Sequence, residues 1–157
     1  MSDSSAPEQR IDRVAAALSA CLPALHRVLE RRIAREYPHP RPPEGQVALL
    51  RFVAQREGAT VREAAEALLM KPNNVSALVS QLTERGELER RQDSADKRIA
   101  HLHLTDSSRQ RIAEVCALEE RYLRQAMLSL TDGEMDALGS AVGALSALTR
   151  NLHSAPR

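Results

Sequence analysis

The chain has 157 residues, of which 43% are hydrophobic and 27% charged, and it carries a formal net charge of +1 at pH 7. This balance indicates a globular protein with a sizeable core, and the near-neutral charge excludes a general attraction to polyanions, so any nucleic-acid surface must be a local arrangement of Lys and Arg. No run of about 18 apolar residues occurs and the N-terminal residues are polar, so we expect no membrane span, no signal peptide and a cytoplasmic protein.

The composition favours helices. Aromatic residues are 2% of the chain and there are only 6 glycines, so the core must be aliphatic and rich in residues that lose little side-chain freedom in a helix. Cys21 and Cys116 fall in separate helical patterns without metal-ligand spacing, so we expect neither a disulfide nor a zinc site.

The first helix is predicted from an apolar stripe. Residues 1–9 are mostly small and polar and are expected to form a disordered tail. From Ile11 to Ile33, apolar residues recur at steps of three and four, which predicts a helix running to about Arg35. Prolines at 38, 40, 42 and 43 then end it, because proline supplies no amide hydrogen.

Three shorter helices are predicted next. The second runs from about Glu44 to Arg56, with inward positions at Val47, Leu50, Val53 and Ala54 and a stop at Gly58. Thr60 and Glu63 form a capping box for a third helix that ends near Leu69. The fourth begins at Pro72, buries Val75, Leu78, Val79 and Leu82, and ends at Gly86.

A short antiparallel hairpin is predicted from residues 88–91 and 99–104, which flank a polar segment. Its second strand alternates, with Ala100, Leu102 and Leu104 on one face. His101 and His103 take the other face, and without a third ligand they are expected to face solvent rather than hold a metal.

Two long helices complete the chain. Thr105 caps the fifth helix, and Thr131 with Glu134 forms a capping box for the sixth. The apolar stripe of the fifth is Ile112, Val115, Leu118, Tyr122, Leu123, Met127 and Leu130, and that of the sixth is Met135, Leu138, Val142, Leu145, Leu148 and Leu152. We therefore predict a mainly α fold with a small β-hairpin: a winged helix-turn-helix DNA-binding domain over residues 44–105, and a helical dimerisation layer over residues 10–36 and 106–153.

The outward face of the fourth helix suits base reading. Its members are short or uncharged side chains, at Asn73, Asn74, Ser76, Ala77, Ser80 and Gln81. Asn and Gln can bond adenine in the major groove, and Ala or Ser permits close approach. Lys71 adds a positive charge at a helix N-terminus that suits a phosphate. The alternative is a solvated helix end, where Asn and Ser are common as caps.

The stretch "LVSQLTERGELERRQDSADKRIAHLHLT" resembles the MarR (multiple antibiotic resistance regulator) family, with its recognition helix, glycine turn and wing. The resemblance implies that Arg98 tracks the minor groove while Asp96 holds it in place, and Arg91 and Lys97 belong to the same wing. A carboxylate two residues away can orient a guanidinium. The alternative is a solvated hairpin of mixed charge. Glu87 departs from the Leu usual after the turn glycine, which could loosen the base of the wing.

The resemblance covers residues 44–112 by motif, and it departs again at Ser107 or Ser108, where a glycine is common in the family. Family members often respond to small aromatic or phenolic anions, which implies a pocket near the first, second and fifth helices. His26, Arg27 and Arg31 could attract an anion, but they fit a solvated face better and no ligand residue is assigned.

The stripes of the terminal helices are too long for a small winged core to cover. We therefore expect a homodimer on an inverted-repeat operator; the alternative is that these helices pack only on each other. The predicted function is a DNA-binding repressor released by a small ligand. Alternatives are a redox-responsive regulator that senses through Cys21, or a winged-helix interaction module without DNA binding. No catalytic constellation, metal cluster or cofactor motif occurs in the sequence, so an enzyme is not expected.

Overall fold

Six α-helices and one two-stranded antiparallel sheet make up residues 6–154, the part of the chain that the computed structural model describes. The helices are α1 (Ala6–Glu36), α2 (Glu44–Gln55), α3 (Val61–Ala67), α4 (Pro72–Glu84), α5 (Asp106–Met127) and α6 (Asp132–Ser154). The strands are β1 (Leu88–Gln92) and β2 (Ala100–Leu104). The predicted class, mainly α with one hairpin, is confirmed.

Helix α1 begins at Ala6, earlier than the sequence pattern indicated. Residues 6–9 of the predicted tail are therefore helical, and residues 1–5 lie outside the described residues. The local chemistry explains the early start: Pro7 fits a first turn, where no amide partner is needed, and Glu8 places negative charge at the positive end of the helix dipole.

The core lies between α2, α3, α4 and the hairpin. Its largest fully buried apolar side chains are Leu49, Val53, Val75, Val79, Leu82, Leu88 and Leu102. The predicted inward stripe of α4 is confirmed, with Leu78 half-buried at its edge. In α2 the prediction was wrong for Ala54, which is exposed: it stands about 100° from Val53 around the helix, outside the buried arc that Leu49 and Phe52 share.

The turns around α3 and α4 are set by local hydrogen bonds. The Thr60 hydroxyl accepts from the Glu63 amide at 3.2 Å, and the Glu63 carboxylate accepts from the Thr60 amide at 2.7 Å, so the capping box is confirmed. Helix α3 ends two residues earlier than predicted, because Leu69 turns the chain with a φ of 53°. Gly86, with a φ of 67°, ends the next turn after α4 as predicted.

The hairpin pairs Leu88 with Leu104 and Gln92 with Ala100, and its predicted alternation is confirmed. Leu102 and Leu104 are buried beneath the sheet. His101 and His103, on the opposite face, are half-buried rather than solvent-facing, because each ring contacts the segment after α2.

The terminal helices leave long apolar stripes uncovered. On α1, the exposed fractions of Ile11, Val14, Leu22, Leu25 and Val28 lie between 46% and 66%. Helix α6 has no buried residue among those described, although its Thr131–Glu134 capping box forms as predicted. Leu130 lies in the α5–α6 connection, since α5 ends at Met127. None of the described helices has the length and hydrophobicity needed to cross a membrane.

Candidate nucleic-acid interface

Helix α4 presents a polar ridge on a face opposite its buried stripe. The ridge residues Asn73, Asn74, Ala77, Ser80 and Gln81 are exposed, as is Lys71 before the helix, whereas Ser76 is half-buried. Pro72 occupies the first helical positions, and no side chain at the N-cap bonds the first turn. Pro72 has no amide hydrogen and the Asn74 amide donates to the Lys71 carbonyl at 2.9 Å, so the Asn73 amide is the first-turn donor left for an outside anion at this positive end of the helix dipole.

Two ridge residues are held by other parts of the protein. Buried Gln46 on α2 donates from Nε2 to Gln81 Oε1 at 2.9 Å, and its own Oε1 accepts from Arg85 Nη1 at 3.0 Å. Ser80 Oγ donates to the Ser76 carbonyl at 3.0 Å and accepts from Arg90 Nη2 at 3.3 Å. Gln81 is thereby fixed to α2 and Ser80 to the hairpin, which leaves Asn73, Asn74 and Ala77 as the unrestrained members of the ridge.

Sequence reasoning missed Gln46, Arg85 and Arg90. A glutamine at a buried helical position beside Leu49 and Leu50 was the available signal, because a buried amide needs a hydrogen-bond partner. The identity of that partner, 35 residues away in the chain, carries no local signature.

The loop between the strands is shaped by two aspartates. Asp93 Oδ1 accepts from the amides of Ala95 and Asp96 at 2.8 and 2.9 Å. Asp96 Oδ1 accepts from the amide of Arg98 at 2.9 Å. The two backbone hydrogen bonds and one from the His101 ring lower the pKa of Asp93 to about 2. Asp93 is therefore ionised at neutral pH.

The expected side-chain pair between Asp96 and Arg98 is not formed. A short aspartate side chain reaches the amide two residues on more readily than a guanidinium at the end of a long side chain, so Asp96 orders the backbone of the loop instead. Lys97 and Arg98 are exposed at the tip, and within residues 6–154 neither side chain joins an ion pair. Arg91 pairs with Glu89 at 3.1 Å on the strand below.

His101 joins this loop to the body of the domain. Its Nδ1 lies 2.6 Å from the Gly58 carbonyl oxygen and its Nε2 lies 3.0 Å from Asp93 Oδ2. His103 makes a single ring contact, from Nδ1 to Glu57 Oε1 at 3.3 Å. No group of three potential metal ligands occurs among the residues that the structure describes.

A cavity of about 640 Å³ lies where the end of α1, the proline segment, α2 and α5 meet. Its apolar lining includes Ile33, Val47, Leu50, Ile112 and Val115. Its cationic lining consists of Arg41, Arg51, Arg85 and Arg111, of which Arg41 pairs with Glu30, Arg51 with Glu119 and Arg111 with Glu87 at 3.9 Å. His26, Arg27 and Arg31, the cations considered from the sequence, do not line it.

Two further side chains at the cavity are informative. Burial raises the pKa of Tyr37, and the Glu114 charge adds to the effect, so its phenol is neutral at pH 7. Glu87 is buried and faces the cavity, while its amide donates to the Leu82 carbonyl at 2.8 Å and closes the end of α4. Cys21 is exposed on α1 and Cys116 is half-buried, and both are free thiols.

The sequence is similar to those of transcriptional regulators. A sequence model of the MarR family matches residues 40–99. The HTH-type transcriptional regulator YkoM of Bacillus subtilis (strain 168), itself uncharacterised, is 27% identical over 93 residues. That alignment spans 59% of this chain and 60% of YkoM.

Solved structures share the fold over most of the chain. Streptococcus pneumoniae FabT in complex with DNA has a TM-score of 0.73 and 17% identity, covering 92% of this chain and 98% of FabT. A MarR family protein from Bacillus stearothermophilus has a TM-score of 0.76 and 17% identity, and the match covers 91% of this chain and 97% of that protein. A Pseudomonas aeruginosa protein described as a transcriptional regulator has a TM-score of 0.71 and 26% identity, and the match covers 88% of this chain and 95% of that protein. Residues 40–99 are thus similar in sequence to the MarR family, and the chain shares the fold of these solved structures over most of its length.

Proposed function

We propose that this protein is a sequence-specific DNA-binding transcriptional regulator that acts as a homodimer on an inverted-repeat operator in the cytoplasm. One observation carries the proposal: α4 exposes an uncharged, mostly hydrogen-bonding ridge above a buried aliphatic stripe, with an arginine-tipped wing beside it. The similarity of residues 40–99 to the MarR family supports this function and the expectation that the chain is not an enzyme.

In the proposed complex, the ridge of α4 enters the major groove. Asn73 and Asn74 lie in the first turn, where recognition helices meet base edges, and Ala77 permits close approach. Lys71 and the Asn73 amide contact phosphate. The contact surface also includes Ser76, Ser80 and Gln81, toward the end of the ridge where other side chains bond it.

The wing takes the adjacent minor groove. A narrow minor groove concentrates negative potential, and the exposed side chains of Lys97 and Arg98 project from the loop that Asp96 orders. Arg91, on the strand below, supports backbone contact. The Arg90–Ser80 hydrogen bond fixes the hairpin against the recognition helix, so both elements meet DNA as one unit.

The proposed partner of the terminal helices is a second copy of the chain. A 23-residue helix without fully buried residues gains little stability from packing within its own chain, and most helical stability in proteins comes from packing of an apolar face. The exposed stripes of α1 and α6, including Leu25, Leu138 and Val142, supply such a face. We accordingly assign residues 10–36 and 106–153 to dimerisation and residues 44–105 to DNA reading. Twofold symmetry sets two recognition helices about 34 Å apart.

The regulatory ligand that we propose is a small aromatic or phenolic anion in the cavity. The volume of the cavity falls in the usual range for small-molecule sites, and the apolar walls and arginines of the cavity suit such a ligand. Arg85 and Glu87 reach from the cavity to the end of α4, and Arg85 bonds Gln46, which bonds Gln81. A ligand that re-pairs Arg85 would shift the recognition helix, which favours repression relieved by ligand.

The test begins with selection of bound sequences from a pool of random duplexes, followed by salt titration of binding to the selected duplex. Each phosphate contact contributes about 0.9 to the slope of log affinity against log salt. Arg98→Ala, lost from both wings, should flatten that slope by about 2 and weaken binding to all sequences. Asn74→Ala should relax preference at one base step and leave the slope unchanged.

The matched control is Arg10→Ala, which removes an exposed charge at the edge of the proposed dimerisation layer, off its apolar stripe and outside the proposed DNA-contact surface. It should leave both readouts unchanged. Binding that is insensitive to salt and to both Arg98→Ala and Asn74→Ala would refute the docking and favour a protein-interaction module.

A further inference from the structure

The ring of His101 lies between two hydrogen-bond acceptors. Nδ1 faces the Gly58 carbonyl oxygen at 2.6 Å and Nε2 faces the Asp93 carboxylate at 3.0 Å. A carbonyl oxygen and a carboxylate can only accept, so both ring nitrogens must donate for both contacts to be hydrogen bonds. A neutral imidazole carries one N–H and would direct a lone pair at the other oxygen. Only the imidazolium satisfies the observed geometry.

The proton cannot be supplied by Asp93 instead. Asp93 Oδ1 already accepts two backbone amides, from Ala95 and Asp96, and these contacts favour the ionised carboxylate. These hydrogen bonds form a chain from the body of the domain to the wing. The His101 ring contacts both Gly58 and Asp93, and Asp93 in turn bonds the backbone of the loop that contains Arg98. We call the Gly58–His101–Asp93 contact the His101 bridge.

The charged groups that face His101 come from several elements. Asp93 belongs to the wing, and Glu63 on α3 adds negative charge, with Arg56 3.8 Å from its carboxylate. Arg91 is the cross-strand neighbour on the same face, and its guanidinium pairs with Glu89. The hydrogen bond to Asp93, followed by that to Gly58, raises the pKa of His101 above 6.5, while burial opposes the shift.

We propose that His101 is a positioning residue that holds the wing in its DNA-binding conformation when its ring is protonated, so that affinity for DNA declines as pH rises. This inference rests on the proposed function. Because the protonated form is favoured in the folded protein, the stabilisation is complete below pH 6.5 and is lost as pH rises through the raised value. Above the raised pKa of His101, binding of DNA by the dimer takes up two protons, one for each wing, so the slope of log affinity against pH approaches −2.

The chain provides a matched control on the same strand face. His103 has one ring contact, to Glu57 Oε1, which a neutral imidazole satisfies by donating from Nδ1. A second variant keeps the proposal testable if loss of the ring harms folding. Asp93→Asn retains the oxygen that accepts Ala95 and Asp96, and its amide can donate to the lone pair of a neutral His101.

The experiment measures affinity for the selected duplex between pH 5.5 and 8.5, at constant ionic strength, for wild type and three variants. Wild type and His103→Gln should lose affinity at least threefold from pH 6.5 to 8.5, whereas His101→Gln and Asp93→Asn should show flat profiles. NMR of the DNA-free protein should show the wing amides of residues 95–98 titrating together with the His101 ring.

An identical pH profile in wild type and His101→Gln overturns the proposal, as do wing amides that do not follow the His101 ring. The DNA-free arm separates the two hypotheses. If no duplex is bound at any pH while the wing still titrates with His101, the proposed function fails and the pH-dependent bridge stands.

Discussion

Leu69 occupies a backbone conformation that glycine tolerates better. Its φ is 53°, in the turn between α3 and α4, and its side chain is 51% exposed. The turn is closed by the Leu69 amide, which donates to the Glu66 carbonyl at 3.3 Å, and by the Met70 amide, which donates to the Ala65 carbonyl at 3.0 Å. These bonds hold Leu69 in the left-handed region.

The expected magnitude follows from two opposing terms. A residue with a Cβ in the left-handed region costs about 1 to 2 kcal/mol. Glycine costs about 0.5 to 1 kcal/mol relative to alanine through its extra backbone entropy when unfolded. Leu69→Gly should therefore be more stable than Leu69→Ala by about 0 to 1.5 kcal/mol. Comparing these two variants cancels the packing that both lose with the leucine side chain.

The assay is urea unfolding followed by circular dichroism, at one fixed protein concentration because the proposed dimerisation would contribute to stability. The control is Ala113→Gly at an exposed position inside α5, which should cost about 1 kcal/mol. We therefore predict that the difference in unfolding free energy between the glycine and alanine forms has opposite signs at positions 69 and 113. If glycine at position 69 is less stable than alanine there by the amount seen at position 113, the assigned turn conformation is refuted.

Further predictions concern the core, the caps and acid stability. Leu82→Ala, at a fully buried position under the ridge, should cost about 3 to 5 kcal/mol in urea unfolding and weaken DNA binding; a cost below 1 kcal/mol would contradict the packing. Thr60→Ala should cost about 0.5 to 2 kcal/mol through loss of the α3 cap, and an unchanged midpoint would argue against the capping box. Gln46→Leu should cost only about 1 kcal/mol, because exposed Gln81 and Arg85 can turn to water, whereas a loss of 3 kcal/mol or more would mean that the network is more tightly coupled than its exposure indicates. The pKa of Asp93 is lowered to about 2, so its stabilisation is present above pH 4 and is lost as pH falls toward 2; acid unfolding of Asp93→Asn should show a shallower decline over that range, and unchanged steepness would contradict the assignment.

Most of the fold follows from local chemistry and was predictable. The Thr60–Glu63 capping box and the Gly86 stop act within a few residues, so sequence spacing predicts them directly. The alternation of β2 and the apolar stripe of α4 likewise follow from strand and helix periods. The early start of α1 was missed because the polar character of residues 6–9 outweighed the N-terminal signals of Pro7 and Glu8.

The positions of the ridge and wing residues were also predictable, but their hydrogen-bond partners were not. Gln81 bonds a residue on α2, and His101 joins Gly58, 43 residues away, to the wing. Such pairs depend on how helices and strands pack in three dimensions. Asp96 shows the same limit at short range, because the choice between the amide and the guanidinium of Arg98 depends on loop geometry.

Chemical protection of bound DNA tests the docking of the ridge and wing most directly. Dimethyl sulfate methylates guanine N7 in the major groove and adenine N3 in the minor groove, so one reaction reports both contacts on the selected duplex. We predict major-groove protection in two half-sites about 10 base pairs apart, with flanking minor-groove protection that Arg98→Ala removes. Reactivity equal to that of free DNA in both grooves, or minor-groove protection unchanged by Arg98→Ala, would contradict the account.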